Sequence, residues 1–250
     1  MAAHGLTRAV ILYGTPRQVS GAVLIDSQRD RAFAYYSLSK PMTAATVLSL
    51  VGAGKISLDE TVDGATVRDL LAHSAGWDRT TAGDPVVDRT TPADCAAIVP
   101  PGRQFAPGTR AAYSNLGYCL LGRLIAERTG ESYDKAVRRS LPMAKTMTYA
   151  PWFGAAGGWS GTADAYYRFA ARPVDSRALA RPAFAPSGPY YAMGWRVLAD
   201  GTLSHFGAQK GGYSLVLKTP NRIVVALFDG EPRDPERARD DLRRVLARYR

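Results

Sequence analysis

The chain is poor in the residues that hold metals or staple small folds: it has two cysteines and three histidines in 250 residues. Cys95 and Cys119 stand in no metal-ligand spacing and are too few for a disulfide framework. His4, His73 and His205 are equally scattered, so no metal and no other cofactor is implied. No apolar run approaches the ~18 residues that a membrane span needs. The opening "MAAHGLTRAVILYG" lacks the charged segment and long apolar core of an export signal. These absences lead to the expectation of a cytoplasmic protein without a membrane partner. Lysine is scarce as well, with 6 Lys against 26 Arg.

What is present is the composition of a folded globular protein, 46% hydrophobic and 22% charged, long enough for a single domain over residues 1–250. The formal net charge of +10 raises the question of a polyanionic partner. The basic residues are scattered, however, except in the C-terminal "RARDDLRRVLARYR". That segment alternates charge signs and places Leu242, Val245, Leu246 and Tyr249 at helical spacing, which predicts an amphipathic helix packed on the body. No nucleic-acid-binding motif accompanies the charge, so no nucleic-acid partner is expected.

Arg8 to Gly14 and Gly21 to Ser27 are β-branched-rich runs that predict a strand pair. "AYYSLSKPMTAATVLSL", Ala34 to Leu50, then predicts a buried helix through Met42, Ala45 and Leu48, ending near Gly52 and Gly54. Helical segments broken by Pro/Gly loops come next: "TVRDLLAHSAG", "PADCAAIV", "SNLGYCLLGRLIAERTG" and "SYDKAVRRSL". From Gly194 the period switches to strands, with turns at Asp200–Gly201 and Pro220–Asn221. Strands at both ends with helices between predict an α+β fold. An antiparallel sheet lobe (about 1–57 and 190–250) would be flanked by helices and carry an inserted, mostly helical lobe (about 58–189). A cleft between the lobes is the natural place for a site.

Ser37 and Lys40 stand three apart at the head of the first buried helix, hence on one face. A serine hydroxyl needs a base to become a nucleophile. A lysine serves if burial lowers its pKa enough to leave it neutral. The spacing alone is weak, since 15 Ser and 6 Lys give roughly 0.4 such pairs by chance. A second pair, Ser132 and Lys135, precedes a charged amphipathic helix and reads as an ordinary N-cap. Ser37 differs because the helix behind it is apolar. "AAYSNLGYCLLG" adds Tyr113 and Asn115 before another apolar helix, and "LSHFGAQKGGYSL" adds His205 and Gly207 on a returning strand.

Taken in order, "SLSKPMTA", "YSNLGYCLLG" and "HFGAQKGGYS" resemble the three motifs of the serine β-lactamase and penicillin-binding-protein superfamily. The chain is most similar to the class C β-lactamase-like and family VIII esterase branch. "GKISLDETV", "TVRDLLAHSAGW", "FAPGTRAAYSN" and "AAGGWSGTADAYYRF" agree, so the resemblance runs from about Gly21 to Asp229. It implies Ser37 as acylated nucleophile, Lys40 as its base and Tyr113 as proton shuttle. It further implies that Asn115 binds Lys40 and the substrate, that His205 and Gly207 line the opposite wall, and that the backbone N–H groups of Ser37 and Ala208 form an oxyanion hole.

Three features depart from the family pattern. The chain is short, with Ser37 unusually near its start; His205 replaces the lysine of classical β-lactamases; and no export signal is seen. Lys210 stands close enough in sequence to compensate for the missing lysine. Trp77, Trp152, Phe153, Trp159, Tyr190 and Tyr191 are candidates for an apolar acyl pocket or for ordinary core. The expected function is a serine hydrolase acting on a small ester or amide. The alternatives are an acyltransferase using the same acyl-enzyme and a non-catalytic ligand-binding member of the fold.

Overall fold

The apolar runs near the two ends of the chain fold as strands, and most of the helical segments expected between them fold as helices. The computed structural model describes residues 1–89 and 93–246. The chain opens with β1 (Ala9–Gly14) and β2 (Val19–Ile25). The short β3 (Phe33–Ala34) comes next, then a 3-10 turn (Tyr36–Leu38) and α1 (Ser39–Gly52). The middle of the chain holds β4 (Thr61–Val62), β5 (Ala65–Thr66), α2 (Val67–Leu71), α3 (Arg79–Ala82), α4 (Asn115–Thr129) and α5 (Tyr133–Ser140). Beyond them lie β6 (Thr148–Tyr149), α6 (Gly154–Gly157), β7 (Trp159–Gly161) and α7 (Ala163–Ala170). The last part is β8 (Tyr190–Ala192), β9 (Trp195–Val197), β10 (Leu203–Gln209), β11 (Gly212–Lys218), β12 (Ile223–Asp229) and α8 (Pro235–Leu246).

Seven strands form one antiparallel sheet in the order β2-β1-β12-β11-β10-β9-β8, so the two ends of the chain meet at its centre. Side chains on a strand alternate between faces, and here both faces are covered. Val10, Leu12, Val225 and Leu227 turn towards α1 and the helical segments, whereas Ala9, Ile11, Ala226 and Phe228 turn towards Ala238 and Leu242 of α8. This double burial explains why β1 and β12 read as continuous apolar runs. α7 packs on β1 and β12 although it lies within the segment expected to be the helical lobe. Of the C-terminal spacing set, Leu242 is buried and Val245 is exposed. Tyr249 and the Leu246 side chain lie outside the described residues.

Two local differences from expectation bear on the site. The helix does not begin at Ser37: Tyr36 takes φ +47°, so Ser37 stands in the 3-10 turn and α1 starts at Ser39. Pro41 then falls in the first turn, where its missing N–H leaves no helical bond unmade. Cys95 and Cys119 are joined in a disulfide, with Cα atoms 5.3 Å apart. One bridge needs no framework, only that the Cys95 turn and the first half of α4 abut. No helix among the described residues is long and apolar enough to cross a membrane.

Candidate active site

The Ser37 turn is fixed by groups distant in sequence. The Tyr35 N–H donates to the Trp159 carbonyl (2.9 Å), and the Tyr166 hydroxyl donates to the Leu38 carbonyl (2.9 Å). The Ser214 hydroxyl donates to the Tyr35 carbonyl (2.7 Å), tying the turn to β11. The left-handed backbone at Tyr36, which costs a non-glycine residue about 1 kcal/mol or more, is held by this surrounding structure.

β9 pairs with β10 only at Leu203 and Ser204, so the edge of β10 from His205 onward is free to face the Ser37 turn. Gly207 is where the two backbones come closest. A Cβ there would stand 2.4 Å from the Tyr35 carbonyl oxygen and 2.7 Å from the Tyr36 Cβ. Gly207 therefore permits the approach of strand and turn and does not itself line the cavity in front of Ser37.

Lys40 is wholly buried, with Nζ 3.1 Å from Ser37 Oγ, and it donates to Asn115 Oδ1 (2.6 Å) and the Ala156 carbonyl (2.7 Å). Burial holds its pKa well below the usual lysine value; Asp84 opposes the shift and Arg79 adds to it. The Tyr113 hydroxyl donates to Ser37 Oγ at 2.7 Å. Burial pushes the Tyr113 phenol up, so it stays protonated at ordinary pH. His205 is pushed down to about 3, chiefly by burial and further by Lys40, so its imidazole is neutral. Its Nδ1 lies 2.9 Å from the Phe206 carbonyl, which makes Nδ1 the protonated nitrogen and leaves Nε2 as a buried acceptor without a partner.

In front of Ser37 lies a cavity of about 220 Å³ whose walls include Tyr113, Tyr191, His205 and Ala208. The structure thus brings Ser37, Lys40, Tyr113, Asn115, His205 and Ala208 into one neighbourhood. Asn115 is 8% exposed and stands behind Lys40, outside the cavity lining. Lys210 is exposed on the β10–β11 turn and does not line the cavity. Of the candidate pocket aromatics, Tyr191 alone reaches the cavity; Trp77 and Trp159 are core. Ser132 is the N-cap residue of α5, its hydroxyl bonded to Asp134, and Lys135 is exposed.

Several groups here carry no motif. Arg79 lies over the Tyr113 ring (4.7 Å), and Arg196 pairs with Glu236 (2.6 Å) at the cavity mouth. His73, at φ +58°, stacks on Tyr113 with ring centroids 4.4 Å apart. Asp84 accepts from Asn115 Nδ2 at 2.6 Å. Only "LLAHSAG" among these had a signal in the sequence, as family-like text without an assigned role. No cluster of three or more His, Cys, Asp or Glu that would hold a metal occurs among the described residues.

An antiparallel sheet covered on both faces, with a Ser–Lys–Tyr cluster where its edge meets the helices, is the α+β β-lactamase/transpeptidase fold. The chain belongs to the Beta-lactamase family, whose profile matches residues 9–142. A penicillin-binding protein 4 of Amycolatopsis lactamdurans is 30% identical over 162 residues, 55% of this chain and 42% of that protein. A probable fimbrial assembly protein FimD of Dichelobacter nodosus is 31% identical over 131 residues, 45% of this chain. The match covers 33% of that protein, so the chain spans well under two thirds of the curated relatives it matches. Among solved structures, a D-amino acid amidase of Ochrobactrum anthropi superposes with TM-score 0.77 at 20% identity, covering 97% of this chain and 94% of that one. A penicillin-binding protein of Bacillus halodurans gives 0.73 at 18% identity, covering 96% of each chain.

Proposed function

We propose that the protein is a serine hydrolase that cleaves a small ester or amide through an acyl-Ser37 intermediate. The observation that carries this reading is the bonding of Lys40. A neutral amine has two N–H bonds and one lone pair. Asn115 Oδ1 and the Ala156 carbonyl take the two N–H bonds, so the lone pair is left for the Ser37 hydroxyl 3.1 Å away.

Ser37 O–H breaks, its proton passes to Lys40 Nζ, and Oγ bonds to the substrate carbonyl carbon while the carbonyl π pair moves to oxygen. The N–H groups of Ser37 and Ala208 receive that oxyanion, each fixed donor contributing about 3–4 kcal/mol. Collapse breaks the bond to the leaving alcohol or amine, which takes a proton from the Lys40 ammonium relayed through the Tyr113 phenol. Water then attacks the acyl carbon, giving its proton along Tyr113 to Lys40; collapse breaks the bond from that carbon to Ser37 Oγ, the acid departs, and Lys40 returns the proton to Oγ. Tyr113 acts as a relay, because burial keeps the phenol protonated.

His205 is neutral and brings no cation to β10. This supports an ester or simple amide over a β-lactam, whose carboxylate a neutral imidazole attracts less strongly than a lysine would. Intact-mass measurement after incubation with a p-nitrophenyl ester tests the reading, with an acyl adduct on Ser37 expected. Unchanged turnover and no adduct difference in Ser37→Ala would refute it. Fast nitrocefin turnover would reverse the preference for esters.

A further inference from the structure

Lys40 is gripped on the side away from Ser37 by an amide, and that amide is gripped in turn by a carboxylate to which acylation and hydrolysis give no task. Asp84 lies in the loop between α3 and α4 and is only 8% exposed. Gly83, at φ +76°, turns the chain into it, and the fully buried Val86 anchors the loop on its far side. Asp84 Oδ1 accepts from the Val86 N–H (3.0 Å), and Oδ2 accepts from Asn115 Nδ2 (2.6 Å). A line of contacts therefore runs from carboxylate to amide to amine to hydroxyl.

The Asn115 amide has two ways to sit. With oxygen towards Lys40 and nitrogen towards Asp84, both contacts are attractive. Turned over, its NH2 would face the lysine's own N–H bonds and its oxygen would face a carboxylate, and both contacts would repel. Lys40 alone favours the first arrangement. Asp84 makes it the one that costs nothing at either end, and a charge-assisted bond of this kind is among the stronger hydrogen bonds.

We propose that Asp84 is a positioning residue of the catalytic machinery: its carboxylate holds the Asn115 amide with its oxygen against Lys40, and so keeps the amine's lone pair on Ser37. The proposal rests on the acyl-Ser37 reading. Asp84 also closes its own loop through Val86 and through its N–H to Asp88 Oδ2 (2.6 Å), so a merely structural role has to be separated.

Charge separates them. The groups facing Lys40 are Asp84 from the α3–α4 loop, Arg79 from α3, His73 beyond α2, His205 from β10, and the rings of Tyr113 (4.8 Å) and Tyr118 (5.5 Å). Asp84 is the one anion in this set. Asp84→Asn keeps an oxygen to accept from Asn115 while removing the charge. Lys40 should then lose its proton at lower pH, and the acid limb of Ser37 acylation should move down with it. Asp84→Ala removes the anchor and should slow acylation roughly tenfold or more.

The test follows acylation against pH by intact mass, and in parallel the titration of Lys40 by NMR of protein carrying 13C at the lysine ε-carbon. Six lysines make that spectrum assignable with Lys40→Met. An unchanged Lys40 titration in Asp84→Asn overturns the proposal, and so does wild-type acylation in Asp84→Ala. If Asp84→Ala does not fold, Asp84→Asn, which keeps the backbone bond to Asp88 and one of the two bonds the carboxylate accepts, carries both measurements. The NMR arm needs no turnover: if the wild type forms no adduct, the acyl-Ser37 reading fails while the Lys40 shift still decides the coupling to Asp84.

Discussion

Neutral buried bases leave a mark on folding as well as on chemistry. His205 is 4% exposed, and its pKa in the folded state lies at about 3. In the unfolded chain it titrates near ~6.5. Between these values the unfolded state binds the extra proton, so stability falls as pH drops through that window. Going from pH 7 to pH 4 should remove on the order of 3 kcal/mol through this group. His205→Gln should flatten that part of the stability–pH curve, as read by urea unfolding. Equal slopes in both proteins would mean that the imidazole is solvated and charged. The residues of this site divide by how they signal themselves. Ser37, Lys40, Tyr113, Asn115, His205, Gly207 and Ala208 stand within short motifs whose spacing reflects a helix start or a strand edge. Asp84, Arg79 and Glu236 sit in a loop or at helix starts without periodicity, and each joins the site through one tertiary contact. Nothing local marks an aspartate that will accept from an asparagine 31 positions away.

At the scale of elements, the sequence reads best where apolar runs are long and sharply bounded. β1, β10, β11, β12 and α4 were legible because apolar residues run through most of their length and turn residues or glycines bound them. Short pieces were not: "PADCAAIV" forms only a 3-10 turn at Cys95–Ala97 among its described residues, because the disulfide and packing decide its path. That bridge closes the stretch holding Tyr113 and Asn115, with a sequence separation of 24. By chain entropy a loop of this size contributes about 3 kcal/mol. Disulfides persist in oxidising compartments and are rare in the cytoplasm. We therefore propose an oxidising setting for this chain in place of the expected cytoplasmic one. Protein alkylated directly in its own cells should protect both cysteines, and reduction should lower its melting temperature. Two freely alkylated thiols with unchanged melting would return the protein to the cytoplasm.

At the scale of the whole molecule, charge acts at two ranges. The chain carries a formal +10, yet the cavity mouth is balanced, with Arg79 and Arg196 set against Glu231 and Glu236. A substrate in contact with the site meets these four groups at close quarters, where salt screens little. A substrate still approaching meets the net charge, which is felt across about 30 Å at 0.01 M salt but only about 8 Å at 0.15 M. Electrostatic attraction should therefore govern approach more than chemistry. For a monoanionic ester and a neutral ester of the same shape, raising salt over that range should lower the ratio of their kcat/KM values about threefold. Their kcat values should hardly move, because the proposed acylation takes place against Lys40, which is buried, and Tyr113, which is half-buried. A salt-independent ratio would mean that the positive charge lies away from the approach to Ser37. A matching fall in kcat would mean that one of the mouth's ion pairs, Arg196 with Glu236 first among them, takes part in the step itself.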